Sequence, residues 1–276
     1  MSHLSKSSIH IFGVLLILIC VSVKAFGEGA MRLEDIRLTI LYDNTTPAVD
    51  GVTAEWGFAC LVEAGGHRLL FDTGGSGVVR ENMRILGVDP ADFEAVVLSH
   101  AHGDHFGGFP ALMDEIAPDI PIYLPSTLAG KLPGILEKWG GDSRVIEEQV
   151  EIFPGVRLTR VLPASEPERA LVLETEEECL VITGCAHPGL PRILDEVALM
   201  TGGKRPVLVM GGFHLRGMGR IEIDDVINEI VRQDVKYVLP THCTGEKAIE
   251  RFNEVFGPRC LKGGAGRVVE GETLIR

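Results

Sequence analysis

Positive charge is what this chain has least of. Lys and Arg number 26 against 39 Asp and Glu, and the 276 residues carry a formal net charge of −13. Such a surface repels polyphosphates, and no basic stripe or interleaved aromatic patch offsets it, so nucleic acid is not an expected partner. Long apolar runs are also scarce. The one that stands out, residues 11–21, is 11 residues long, well short of the roughly 20 that a membrane-spanning helix needs. No linker, low-complexity tract or short repeat divides the chain. With 45% apolar and 24% charged residues, it has ample material for a globular core.

The apolar run has an address attached. Lys6 precedes it, and Val23-Lys24-Ala25 follows with the small residue a signal peptidase requires. Residues 1–25 therefore read as a cleaved signal peptide, ahead of a single domain over 26–276. An exported, periplasmic protein without stable membrane insertion is the expectation, and an uncleaved N-terminal anchor is the alternative. Ile19 sits before Cys20 where a lipoprotein signal wants a small residue, so lipidation is not expected. Losing Lys6 and Lys24, and no acid, would take the net charge from −13 to −15.

Cysteine is sparse as well. Beyond the leader stand Cys60, Cys179, Cys185, Cys243 and Cys260. In an exported chain an odd count leaves at least one thiol unpaired or bound to something other than cysteine. Cys185 and Cys243 sit inside histidine motifs and read as site residues. A disulfide among the other three stays open.

Histidine is where the sequence becomes specific. Ser99-His100-Ala101-His102-Gly103-Asp104-His105-Phe106-Gly107-Gly108 packs three histidines and an aspartate into six positions, directly after the apolar run 95–98. A solvated polar loop does not need that density. Imidazoles crowded at a strand end need an organiser, and a divalent metal is the usual one. Six histidines follow expected strands: His100, His102, His105, His187, His214 and His242. Strand ends on one edge of a sheet converge, so these six can share a cleft. His67 lies in a hairpin and reads as surface.

Apolar and β-branched runs predict strands over 37–42, 58–63, 67–72, 95–98, 122–124, 156–161, 170–174, 179–183, 207–210 and 236–239. Helices are expected over 77–86, 109–116, 191–200, 223–233 and 245–256, with helix and loop over 126–141. Pro191 at a helix start is harmless, because its missing N–H would be unpaired there anyway. Trp139 reads as a buried apolar face, with a pocket wall as the alternative. The acidic run of Glu147, Glu148 and Glu151 reads as solvated surface. Asp72, at a strand end before Thr73-Gly74-Gly75, reads as a turn former.

His100-x-His102-x-Asp104-His105 followed by two glycines resembles the signature of the metallo-beta-lactamase superfamily. Phe71-Asp72-Thr73-Gly74 and Pro240-Thr241-His242-Cys243 are similar to its flanking motifs, in the same order. The resemblance covers nearly all the chain after about residue 35 and implies an α/β fold, the four-layer αββα sandwich. Gly184-Cys185-Ala186-His187-Pro188-Gly189, Gly211-Gly212-Phe213-His214-Leu215 and His242-Cys243-Thr244-Gly245 resemble the branch containing archaeal dihydropterin-(ribofuranosyl)aminobenzene 5'-phosphate synthase. The chain departs from the superfamily pattern in having no histidine between Phe106 and Ala186, and in having Cys185 where an aspartate is expected.

The resemblance implies two metal sites, with Asp72 supporting the metal loop from behind its ligands rather than merely forming a turn. His187 completes the first with His100 and His102. His242 joins Asp104 and His105 at the second, where Cys185 is a ligand or a near neighbour. Zinc suits nitrogen and sulfur donors, with manganese or iron as alternatives because of Asp104. Paired divalent ions lower the pKa of a shared water. The expected activity is therefore hydrolysis of a small, phosphorylated, carbonyl-containing or pterin-like molecule, with Asp104 orienting the water. His214 reads as a substrate contact or general acid, or as a structural residue further out. A transferase like the synthase, forming a C–N bond with loss of diphosphate, is the alternative. A non-catalytic exported metal or ligand binder is the alternative outside enzymes, and the intact ligand set argues against it.

Overall fold

Several strands of this chain carry short unbroken apolar runs, and the reason is that both their faces are covered. The computed structural model describes residues 30–275; the expected leader lies outside the described residues. In chain order the strands are β1 (Ile36–Asp43), β2 (Phe58–Ala64), β3 (His67–Phe71), β4 (Ala95–Val97), β5 (Ile122–Leu124), β6 (Ser143–Val145), β7 (Val150–Phe153), β8 (Val156–Leu158), β9 (Leu171–Glu174), β10 (Glu178–Thr183), β11 (Arg205–Gly212), β12 (Tyr237–Thr241) and β13 (Val268–Glu270). They form two sheets. One runs β13-β1-β2-β3-β4-β5-β6, and the other β12-β11-β10-β9-β8-β7.

Side chains alternate across each strand, so one strand feeds two layers. Leu38, Phe58, Cys60, Leu69 and Phe71 of the first sheet meet Leu171, Leu173, Leu180, Ile182 and Met210 of the second in the central core. The alternate residues point outward. Leu61, Leu70 and Val96 pack on Val79 and Met83 of helix α1 (Val78–Leu86). The short helices α2 (Gly103–Phe106), α3 (Phe109–Leu112), α4 (Ser126–Ala129) and α5 (Pro133–Trp139) lie along the same half of the chain. Val181, Val209 and Val238 pack on Ile193, Ile227 and Phe252 of α6 (Leu190–Thr201), α7 (Arg220–Arg232) and α8 (Glu246–Phe256). Helix, sheet, sheet, helix: the expected αββα sandwich is the fold.

Parallel pairing decides where function can sit. β3, β4, β5 and β6 run parallel in one sheet, and β10, β11 and β12 in the other. Parallel neighbours need crossovers, which α1, α6 and α7 supply, and the carboxyl ends of such strands open onto one edge.

Some local expectations need correction. The helix over 109–116 ends at Leu112, and the chain goes on as turns, in which the Glu115 and Ile116 N–H groups both donate to the Leu112 carbonyl. The strand over 156–161 ends at Leu158, where Thr159 Oγ1 accepts the Ala170 N–H at 3.0 Å and interrupts the ladder. Trp139 is core, its ring edge-on to Phe109 at 5.9 Å. All five cysteines among the described residues are free and buried, so none of Cys60, Cys179 and Cys260 is in a disulfide.

Candidate metal centre

Five strand ends deliver the site. Asp72 follows β3, His100 and His102 follow β4, and His105 sits one turn later in α2. Cys185 and His187 follow β10, His214 follows β11, and His242 follows β12. The backbone is bent hard to do this. Asp72, Ala186, His214 and His242 all adopt left-handed φ values of 50–59°, a region that costs non-glycine residues energy and that clusters at functional sites. Gly184 is needed for a different reason: a Cβ there would collide with Ser99 Oγ and crowd Asp72 Oδ2 at 3.0 Å.

The ring nitrogens pair off. His102 Nδ1 lies 3.1 Å from His187 Nε2, and His100 completes that trio. His105 Nε2 lies 3.2 Å from His242 Nε2, and Asp104 Oδ2 is 3.4 Å from the same His242 nitrogen. Cys185 Sγ stands 3.2 Å from His105 Nε2. Beside these, Cys185 Sγ, Cys243 Sγ and a His214 ring nitrogen lie within 4.8 Å of one another.

The partners behind the rings fix which nitrogens face inward. Asp72 Oδ2 accepts from His105 Nδ1 at 2.6 Å and from Ser99 Oγ at 2.7 Å. Ser99 Oγ, having donated its hydrogen, accepts from His100 Nδ1 at 2.8 Å. Asn44 Oδ1 accepts from His242 Nδ1 at 2.8 Å, while its amide donates to the His242 carbonyl. Each Nδ1–H is thereby committed, and each Nε2 presents a lone pair to the cleft. His100 Nε2 is buried and has no hydrogen-bond partner. Lone pairs facing at 3.2 Å, and an orphaned buried nitrogen, are unfavourable without a cation between them. The donor set fits two divalent ions. His100, His102 and His187 would hold one; Asp104, His105 and His242 would hold the other, with Cys185 at its edge.

Electrostatics favour the ligating forms of His100, His187 and Asp104. Burial drives His100 well below the ordinary histidine range, with help from its imidazole neighbours. Burial, with His214 and His102 close by, lowers His187 to about 3, which leaves it neutral for ligation. At His105 burial also pulls down, but the Asp72 charge outweighs it and the net shift is upward. For Asp104, burial is outweighed by His242 and His105, which hold the carboxyl well below the usual carboxylate range. The hydrogen bond with Cys243 raises His214.

One residue essential to this geometry was not foreseen. Glu168 is fully buried, and its Oε1 accepts the N–H of Gly184 at 3.1 Å, Cys185 at 2.9 Å and Ala186 at 2.9 Å. Its Oε2 accepts the His187 N–H at 2.9 Å. A single carboxylate thus holds the whole loop that carries Cys185 and His187. Burial pushes it up to about 7, against the pull of those N–H groups. Nothing in Pro163-Ala164-Ser165-Glu166-Pro167-Glu168 distinguishes it from exposed loop. Asn44 and Ser99 were also missed, whereas Asp72 supports the metal loop as one reading expected.

A two-sheet sandwich whose strand ends converge on a histidine trio beside an Asp-His-His trio defines a class, and the chain belongs to it: residues 57–242 match the metallo-beta-lactamase superfamily. Within that superfamily it is 25% identical, over 87% of its length and 98% of the relative's, to 7,8-dihydropterin-6-methyl-4-(beta-D-ribofuranosyl)-aminobenzene-5'-phosphate synthase of Methanocaldococcus jannaschii. Among solved structures it resembles Tm1679, described as a metal-dependent hydrolase of the beta-lactamase superfamily. The TM-score is 0.71 at 28% identity, covering 85% of this chain and 98% of that one. Human tRNase Z, short form, shares the fold at a TM-score of 0.57 and 17% identity, over 84% of this chain and 98% of that one.

Proposed function

We propose that the protein is a binuclear metal-dependent hydrolase of a small molecule with a phosphoryl or carbonyl reacting centre. The observation that carries this reading is the pair of facing trios, His100–His102–His187 and Asp104–His105–His242, with the Nε2 lone pairs of His100, His105 and His242 freed by hydrogen bonds at Nδ1 of those three rings. Two divalent ions, zinc being the best match to these donors, lower the pKa of water and polarise the oxygen under attack when bound. Asp104, ionised, is placed to orient that water. His214, exposed and shifted toward its protonated form, is placed to hand a proton to the leaving group. Signal-directed export to the periplasm remains part of this reading.

The test is elemental analysis of the purified protein, with a panel of phosphoester, lactone and thioester substrates. Wild type should carry two equivalents and turn over. His102→Ala should lose metal and turnover together, and His214→Ala should keep the metal and slow the reaction. Retention of metal and rate in H102A would refute the mechanism. A transferase reading has its own support in the relationship to the archaeal synthase. Pyrophosphate release that requires an amine acceptor would decide for it.

A further inference from the structure

Next to His242 the cleft widens into a cavity of about 830 Å³ whose walls include Asn44, Trp56, Arg216, Gly245, Glu246 and Lys247. Its chemistry is unlike the rest of this acidic surface. Most arginines here are held by carboxylates, as Arg68 is by Asp92 and Arg251 by Asp224. The Arg216 guanidinium instead lies over the Trp56 ring, 4.8 Å from its centroid, and among the described residues it has no ion pair. Lys247 has none either, although Glu246 shares the wall. Trp56 is 41% exposed, and its ring centroid is 4.8 Å from that of His242. The indole thus has the guanidinium over one face and the metal ligand His242 close by.

The arrangement is anchored. The Arg216 N–H donates to the Cys243 carbonyl at 3.2 Å, inside the 3-10 turn His242–Thr244 that presents His242. Gly245, at φ +81°, lets this contact form, because a Cβ there would lie 3.0 Å from Arg216 Cα and Cβ. The cation is thus registered to the metal ligand through one short stretch of backbone. Leu215, the preceding residue, is buried in the outer core.

We infer that Trp56 and Arg216, with Lys247, form a substrate subsite for a planar ring that carries an anionic phosphoryl group. The ring packs against the part of Trp56 that Arg216 leaves exposed, the phosphoryl oxygens take the guanidinium N–H donors, and the reacting bond is left beside His242. This inference rests on the reading that chemistry occurs at the adjoining metal centre, and its test can fail separately from that reading.

The probe is phenylphosphonate, which has ring and anion but no ester oxygen to cleave. It is titrated into the metal-loaded protein while tryptophan fluorescence is followed. Of the two tryptophans in the chain, Trp139 is buried in the outer core, so quenching reports Trp56. Arg216→Ala, an exposed site, should keep its metal content and bind the probe about tenfold to a hundredfold more weakly, the loss expected for a charge-assisted hydrogen bond. Phenol and inorganic phosphate should each bind wild type at least about tenfold more weakly than the probe. Equal affinity of wild type and R216A would mean that the anion sits on the metal alone and would overturn the subsite. Inorganic phosphate binding as tightly as the probe would overturn the role of Trp56. If the probe binds as expected while no phosphoester, lactone or thioester is turned over, the subsite stands and the hydrolase reading falls.

Discussion

Replacing Glu168 tests whether one buried carboxylate holds the metal-bearing loop, and the hydrogen bonds give its magnitude. Oε1 takes three backbone donors, from Gly184, Cys185 and Ala186, and Oε2 takes one, from His187. In Glu168→Gln the amide will place its oxygen at Oε1, because that keeps three of four bonds; the reverse orientation keeps one. The NH2 then faces the His187 N–H, donor against donor. One buried N–H left unpaired costs about 1–3 kcal/mol, and it is the amide of a proposed metal ligand. Glu168→Ala orphans all four donors. Water entering the vacated space recovers part of that loss, leaving about 3–5 kcal/mol, the low end of the sum for four unpaired buried donors. Urea unfolding of the metal-free proteins reads both figures, and competition with a chelator reads metal affinity. The expected order is wild type above Gln above Ala in stability, with a clear loss of affinity already in E168Q because His187 moves away from His102. An E168A protein within about 0.5 kcal/mol of wild type, with full metal content, would refute the reasoning.

Asp72→Asn should weaken metal binding by about tenfold to a hundredfold, the usual range for a partner behind a ligating histidine. The reason is that Asp72 fixes His105 directly and His100 through Ser99; an unchanged chelator titration would remove that role. Far from the site, Glu174 accepts from Lys204 Nζ and from Arg157 Nη1, each at 2.8 Å. Burial would raise its carboxyl, but those two cations outweigh it and the net shift is downward. A carboxyl depressed on folding stabilises the protein above the unfolded carboxylate range and loses that stabilisation as pH falls through its folded value. Glu174→Gln should therefore lower the urea midpoint at neutral pH and have little effect at about pH 3; an equal loss at both would contradict the assignment.

Much of this architecture could be read before any coordinates, for identifiable reasons. The inter-sheet strands are apolar on both faces, so β4, β5, β9 and β10 stand out as short continuous runs. The metal loop declares itself by density, since no surface loop needs His100, His102, Asp104 and His105 so close together. What stayed hidden belongs to two kinds. β6 and β7 lie at sheet edges: β6 is exposed at all three positions, and β7 is only partly covered. They therefore lack the burial that writes a pattern into sequence. Glu168, Asn44, Trp56 and Arg216 gain their meaning from contacts with segments far along the chain. Glu168 looks like any loop acid until the 184–187 backbone closes over it. Arg216 looks like any surface arginine until Trp56 is found beneath it.

The division of donors between the sheets says most about how this site is stabilised. His100, His102, Asp104 and His105 hang from the end of β4, in the first sheet. Cys185, His187 and His242 hang from β10 and β12, in the second. Neither trio comes from one sheet alone: His187 crosses to complete the first, and His242 crosses to complete the second. The sheets are already tied at this edge by Asp43, at the end of β1, whose Oδ2 accepts from Thr241 Oγ1 at the end of β12 and from the Gly264 N–H at 2.9 Å. An ion bound by either trio therefore bonds one sheet to the other at the mouth of the central core, on top of that polar clasp. Any ligand that binds only the folded arrangement adds its binding free energy to the stability of that arrangement. The lone-pair repulsion that makes the site suited to cations thus lies on the same interface that the cations would close, and metal affinity and sheet–sheet cohesion become one quantity.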